Sequence, residues 1–207
     1  MEARNIDLQG KLIVFEGIDF TGKSTQVELL ADYLRRKNLA VTTTHEPGGT
    51  PLGEKLRKII LSRRNNELLP FSELLLMITS RAQLCSQIIE PALHMGHVVI
   101  SSRYRFSSVA YQGYGRGIDL GLVQHLNEVA TQNRTADITF LIDLQAELAV
   151  ERKPKKHDRI EKEDLLFYRR VRQGYLKLAH NSPLVKIIDG AMSVERIART
   201  VIDHLSQ

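Results

Sequence analysis

Residues 17–24 read Gly-Ile-Asp-Phe-Thr-Gly-Lys-Ser, which fits the pattern G-x-x-x-x-G-K-[ST]. Its setting restricts what the chain can fold into. Upstream, Leu12–Phe15 (LIVF) is apolar and stops at Gly17, as a buried strand does. Downstream, Val27, Leu30, Tyr33 and Leu34 recur at helical spacing. A strand, a glycine-bearing loop and a helix in that order aim backbone N–H groups and the positive end of a helix dipole at one point, where a polyphosphate is stabilised. Gly17, Ile18, Asp19, Phe20, Thr21, Gly22, Lys23 and Ser24, with Thr25 next to them, are therefore expected to bind a nucleoside triphosphate. Lys23 should bridge its β- and γ-phosphates, and Ser24 should ligate Mg²⁺.

The rest of the chain repeats the alternation. Leu39–Thr44, Val98–Ser101, Ile138–Ile142 and Val185–Ile188 are short apolar runs. Between them lie helical stripes: Leu52 to Ile60, Phe71 to about Met95 with an expected kink or stop at Pro91, Asp119–Thr131, Glu161–His180 and Val194–Leu205. Continuous apolar strands separated by helices imply a parallel sheet covered on both faces. The expectation is an α/β protein, a three-layer α/β/α P-loop fold with a five-stranded parallel sheet, spanning 1–207 as one domain. Ligands in such sheets bind beyond the strand C-termini, where the chemistry-bearing residues should collect.

Length and charge narrow the partners. A chain of 207 residues buries a core without staples, and its one cysteine, Cys85, excludes an internal disulfide framework. No apolar run reaches the roughly 18–20 residues that span a bilayer, and the first ten residues lack an apolar signal region. A cytoplasmic protein with no membrane partner is expected. The 29 Lys and Arg exceed the 24 Asp and Glu by +5, and the eight residues Arg152–Arg159 alone carry +4. The excess is local, so a nucleic-acid partner is not expected from it. The base-reading N-K-x-D of guanine switches is absent. Asp143 and Asp189 end apolar runs and could hold Mg²⁺, but strand-end or capping acids explain them more simply.

Further segments join the loop. Phe15-Glu16-Gly17-Ile18-Asp19 precedes Gly-Lys-Ser, His45-Glu46-Pro47-Gly48-Gly49-Thr50 follows the second strand, and Arg103-Tyr104 follows the third. Ala110-Tyr111-Gln112-Gly113-Tyr114-Gly115-Arg116-Gly117 comes next, and Asp158-Arg159-Ile160-Glu161 closes the basic stretch. In this order the chain resembles the bacterial thymidylate kinases from about residue 11 to its C-terminus. The resemblance implies transfer of the γ-phosphoryl of ATP to dTMP, with Mg²⁺, usually by a homodimer. It implies that Asp19 reads the sugar near the metal and Arg103 grips the acceptor phosphate. It also places Glu46 and Gln112 in the substrate site, has Arg81 read the thymine edge, and puts Ser108 and Tyr111 against base and sugar. The basic stretch, about 151–160, resembles the family's lid. With Phe20 in the loop where one subtype carries a catalytic arginine, Arg152 and Arg159 are expected to supply that charge. Lys153, Lys155 and Lys156 are read as solvated, and Glu161 as an acid near the metal or nucleoside.

Three positions depart from the family pattern. Ser102 stands where an Asp usually precedes the arginine, Met77 where a Phe usually stacks on thymine, and His45 where an Arg often precedes Glu-Pro-Gly-Gly. Ser102 and Met77 keep open another nucleotide or deoxynucleoside kinase. Ser102 also keeps open a catalytically weak relative.

Overall fold

The computed structural model describes residues 8–153 and 155–206. Pro154, inside the basic stretch, lies outside the described residues, as do 1–7 and Gln207. Five strands form one parallel sheet: β1 (Leu12–Glu16), β2 (Val41–His45), β3 (Val98–Ser102), β4 (Ile138–Asp143) and β5 (Val185–Asp189), in the order β2-β3-β1-β4-β5. Every expected strand is present, each shifted by no more than two residues. β1 is buried along its whole length because β3 and β4 flank it and helices cover both faces. That is why it reads as an uninterrupted apolar run.

The helices are α1 (Lys23–Arg36), α2 (Pro51–Leu61), α3 (Pro70–Leu84), α4 (Glu90–His94), α5 (Arg105–Ser108), α6 (Leu120–Thr131), α7 (Ala146–Glu151), α8 (Leu165–His180) and α9 (Val194–Leu205). One core packs α1 and α9 on the sheet through Val27, Leu30, Leu34, Ile197 and Val201. Another sets α8 against the opposite face through Phe167, Tyr168, Val171 and Tyr175. Fully burying one such side chain stabilises the fold by about 2 kcal/mol.

Two local expectations are corrected. Pro91 does not end the long helix. A π-helical turn, Cys85–Ile89, precedes it, and Glu90 N bonds Cys85 O five residues back. That wider turn accommodates the missing proline donor, and the helix runs on to His94. The helix expected from Glu161 begins at Leu165, because Asp164 caps it by accepting from Phe167 N at 2.7 Å. Beyond these two, Val109–Gly115 is a second π-helical turn continuing α5.

Candidate active site

The sheet order fixes the geography. The loop after β1 is central, the ends of β2 and β3 lie to one side, and those of β4 and β5 to the other. Gly17 has φ 138°, and a Cβ there would stand 2.5 Å from the Ile142 carbonyl oxygen, so no side chain fits. Lys23 opens α1 and is buried, donating from Nζ to Ile18 O at 2.6 Å and Thr21 Oγ1 at 3.3 Å. Burial, with Arg103 repelling it, pushes its ammonium down to about 7, against the pull of Asp19 and Glu16. Ser24 and Thr25 follow with exposed side chains.

A cavity of about 370 Å³ runs from this loop toward β2 and β3. Its walls include Asp19, Phe20, Lys23, Ser24, Glu46, Met77, Arg81, Ser102, Arg103, Ser108, Tyr111, Gln112 and Glu161. The structure thus gathers in one space most of the residues that the sequence nominated separately.

Arg103 follows β3 with φ 74°, a left-handed conformation that is strained for a side chain of this size. It turns its guanidinium back across the loop. It pairs with Asp19 and donates to Gly17 O at 3.0 Å, Tyr175 OH at 3.1 Å and Tyr111 OH at 3.1 Å, with the Tyr111 ring 4.9 Å beneath it. Asp19 accepts on its other oxygen from Tyr111 OH at 2.8 Å and Tyr168 OH at 3.3 Å. Burial works to raise the Asp19 carboxyl, but Arg103, Lys23 and the donated hydrogen bonds prevail and hold it below the ordinary carboxylate range. Both oxygens are engaged, so direct metal ligation by Asp19 would need one of these bonds to give way.

Arg81 is fully buried on α3, one helical turn beyond the half-buried Met77. Its Nε and one terminal nitrogen pair with Glu46. That nitrogen also donates to Tyr104 O at 2.9 Å, and the other donates to Ser108 Oγ at 2.7 Å and to Asn127. All five N–H bonds are used within the protein, so Arg81 has no spare donor for a base edge. Burial outweighs the pull of Arg81 and raises the Glu46 carboxyl; its Oε1 is buried without a hydrogen-bond partner.

Arg159 does not reach the phosphate loop. The Asp158–Glu161 segment is a reciprocal turn: Asp158 Oδ1 accepts from Ile160 N and Glu161 N at 2.8 Å each, and Glu161 Oε2 accepts from Asp158 N at 2.8 Å. This geometry leaves Asp158 and Glu161 on the cavity wall and turns Arg159 inward. There it is 7% exposed, donates to Ile60 O at 2.9 Å and pairs with Glu73 at 2.5 Å. Arg159→Ala is expected to cost about 3 kcal/mol of stability, because it strips partners from a buried carboxylate and carbonyl. Urea unfolding checks this. Turnover per folded molecule should fall less than tenfold.

The other residues of the basic stretch divide. Arg152 is exposed and reaches Gly190 O at 3.4 Å, beside the end of β5. Lys153 is not simply solvated: its Nζ donates to Glu163 O at 3.2 Å and sits 5.3 Å over the Tyr168 ring. Lys155 and Lys156 are exposed as expected. Asp143 is held by both arms of Arg172 at 2.7 and 2.8 Å, and Asp189 accepts from Ala191 N at 2.9 Å, so the simpler readings of both fit.

Several site residues were not nominated from sequence. Arg57 lines the cavity and is steadied by Pro47 O at 2.9 Å. Glu16 accepts from Tyr104 N at 2.9 Å, Ser107 N at 3.1 Å, Ser107 Oγ at 2.6 Å and Tyr175 OH at 2.8 Å, and so fixes the segment after Arg103. A charge closing a buried apolar strand was the available signal for Glu16. For Asn127 it was a lone amide at i+4 from Val123 on the buried face of α6.

The model of the family described as thymidylate kinase matches residues 15–201. The chain belongs to the thymidylate kinase family. It is 48% identical to the thymidylate kinase of Kosmotoga olearia over 193 residues, covering 92% of each chain. It is 46% identical to that of Fervidobacterium nodosum over 191 residues, covering 92% of this chain and 95% of the relative. The crystal structure of thymidylate kinase from Ehrlichia chaffeensis superposes with a TM-score of 0.80 at 35% identity, covering 94% of this chain and 98% of that one. In a family member, the spent Arg81, the buried Arg159 and the Ser102 that lines the cavity become statements about how this chain assembles its acceptor side.

Proposed function

We propose that this chain transfers the γ-phosphoryl group of ATP to dTMP, giving dTDP, with the triphosphate in the 17–24 loop and dTMP in the adjoining cavity. The observation that carries this reading is the bridge from Arg103 to Asp19 and Gly17 O, which joins the acceptor side of the sheet to the phosphate loop. Met77 offers its thioether to the base, and Tyr111 covers the sugar. Arg81 acts through Ser108: by donating to Oγ it occupies the acceptor side of that hydroxyl and leaves the Ser108 proton for a carbonyl of the base. Arg103 and Arg57 face the acceptor phosphate, Arg103 with a planar donor set that stays charged.

In the transfer, an oxygen of the dTMP phosphate bonds to the γ-phosphorus of ATP as the bond from that phosphorus to the β,γ-bridging oxygen breaks. The acceptor is already an oxyanion, so no general base is required. Catalysis is the alignment of two phosphates and the neutralisation of charge on the oxygens in flight, by Lys23, Arg103 and, from the lid, Arg152. Among the described residues no three His, Cys, Asp or Glu side chains form a metal cluster. This fits Mg²⁺, which takes most of its ligands from phosphate and water. Ser24 would hold it, with Glu161 nearby, whose carboxyl is raised by burial and by its neighbours Asp158 and Asp19, a strain that a cation relieves. When bound, Mg²⁺ supplies charge neutralisation to the triphosphate.

We also propose a cytoplasmic homodimer. Leu52 and Ile59 on α2, Phe71 and Leu75 on α3, and Leu122 and Val129 on α6 are exposed apolar side chains on helices that pack side by side, as a partner surface requires. Among the described residues no helix is long and apolar enough to cross a membrane.

A coupled-enzyme screen of dTMP, dUMP, UMP, CMP, AMP and thymidine with Mg-ATP tests the substrate assignment. dTMP should give the highest kcat/KM. A different best acceptor would overturn it.

A further inference from the structure

Glu73, on the buried side of α3, is 1% exposed and joins three segments. Its Oε1 accepts from Gln112 Nε2 at 2.8 Å and Arg116 Nε at 3.2 Å. Its Oε2 accepts from an Arg116 terminal nitrogen at 3.1 Å and from Arg159 at 2.5 Å. Burial works to raise this carboxyl, but Arg116 and the bonds from Gln112 and Arg159 outweigh it, so Glu73 is held ionised.

An ionised carboxylate has no proton to donate. Only the amide NH₂ of Gln112 can therefore face Glu73, and the planar amide presents its carbonyl oxygen on its other side. Gln112 is also part of the wall of the acceptor cavity. We propose that Glu73 is a positioning residue that sets base selectivity, by locking the Gln112 amide with its oxygen toward the acceptor base. This rests on the reading of the cavity as the dTMP site.

The selectivity follows from the ring chemistry. Thymine and uracil carry a hydrogen on N3, a donor that meets the Gln112 oxygen. Neutral cytosine has a bare N3, so two lone pairs would oppose each other in a desolvated site. A free hydroxyl can turn to suit either base, whereas a locked amide cannot. Rejection of this kind is stronger than a hydrophobic pocket can supply, because a buried polar group is left unpaired.

The lock also explains why a carboxylate stands at this position. Arg116 and Arg159 both require an acceptor. A glutamine at 73 would turn its oxygen to the arginines and its NH₂ to Gln112. The Gln112 amide would then flip and show NH₂ to the base.

Calorimetric dissociation constants for dTMP and dCMP, on the full chain and two variants, test this. In Glu73→Gln, the preference for dTMP over dCMP should narrow by roughly 100-fold. In the double variant Glu73→Gln with Gln112→Glu, residue 73 donates NH₂ to a carboxylate at 112 that again faces N3–H, and the dTMP preference should return. Equal weakening of both nucleotides by Glu73→Gln would assign Glu73 a purely structural role and overturn the proposal, as would failure of the double variant to prefer dTMP. If Glu73→Gln does not fold, the double variant, which keeps the charge and the hydrogen-bond count, decides by the same criterion. Failure of the unaltered chain to turn over dTMP would instead count against the function proposed above. Normal turnover with an unchanged ratio in Glu73→Gln would count against Glu73 alone.

Discussion

Arg103→Ala is expected to lower kcat/KM for dTMP by about 1000-fold, with the larger part in kcat. The guanidinium reaches the phosphate loop through Gly17 O and Asp19, and it lines the cavity in which the acceptor phosphate would sit. Among the described residues no other arginine makes both connections. Arg81 has spent its donors on Glu46, Ser108, Asn127 and Tyr104 O, and Arg159 is buried against Glu73. The left-handed backbone at Arg103 is the cost of aiming the side chain backward over the loop from the end of β3. Arg103→Lys should restore only a small part of the activity, since a single ammonium cannot hold Asp19 and the Gly17 carbonyl while also facing phosphate. Steady-state kinetics with varied dTMP at saturating ATP check this. A loss below tenfold in Arg103→Ala would remove Arg103 from the transfer step.

The parts of this molecule that the sequence reveals are those set by neighbours along the chain. β1, the 17–24 loop and α1 are contiguous, and each is dictated locally, by apolar burial, by a Gly17 that admits no Cβ and by helical spacing. The five strands are legible for the same reason, since a strand buried on both faces is an apolar run. What could not be read depends on partners far away in the chain. The burial of Arg159 is decided by Glu73, 86 residues away, and that of Arg81 by Glu46, 35 residues away. Nothing around either arginine marks it as saturated. The π-helical turn at Val109–Gly115 packs against α8, again a partner far away in the chain. At Gly115 the absent Cβ admits the Phe167 ring, so that glycine serves packing, not chain reversal.

The basic stretch shows the same division. Composition presents it as +4 of unopposed charge. In the structure Arg159 is paired inside, Lys153 lies over Tyr168 with its ammonium on Glu163 O, and Arg152 rests on Gly190 O. Lys155 and Lys156 are left in water. Two of its five cations thus fasten the stretch to its surroundings, Arg159 to α3 and Lys153 to α8. Arg152 is exposed on the β5 side of the loop.

Lys23→Met is expected to reduce phosphoryl transfer by about 1000-fold as well, for a reason that leaves a second mark. Within the loop the Lys23 ammonium is buried and faces Arg103, and burial first, then Arg103, brings it down to about 7. Its carbonyl and hydroxyl partners, Ile18 O and Thr21 Oγ1, carry no full negative charge to compensate. A triphosphate supplies that charge, favours the protonated amine and raises its pKa. The sign follows directly. At pH 8 the free protein holds Lys23 mostly neutral, so nucleotide binding should take up about one proton. At pH 6 the amine is already protonated and uptake should be close to zero. Calorimetry of an ATP analogue in buffers of different ionisation enthalpy measures the uptake, and in Lys23→Met the pH-8 uptake should vanish. Because the folded amine is depressed relative to the unfolded chain, burying it is most costly below pH 7 and the cost fades as pH rises toward 10.5. Lys23→Met should accordingly raise Tm more at pH 6 than at pH 10. If uptake were equal at pH 6 and pH 8, or survived in Lys23→Met, another group would be titrating and Lys23 would not be the charge that the triphosphate completes.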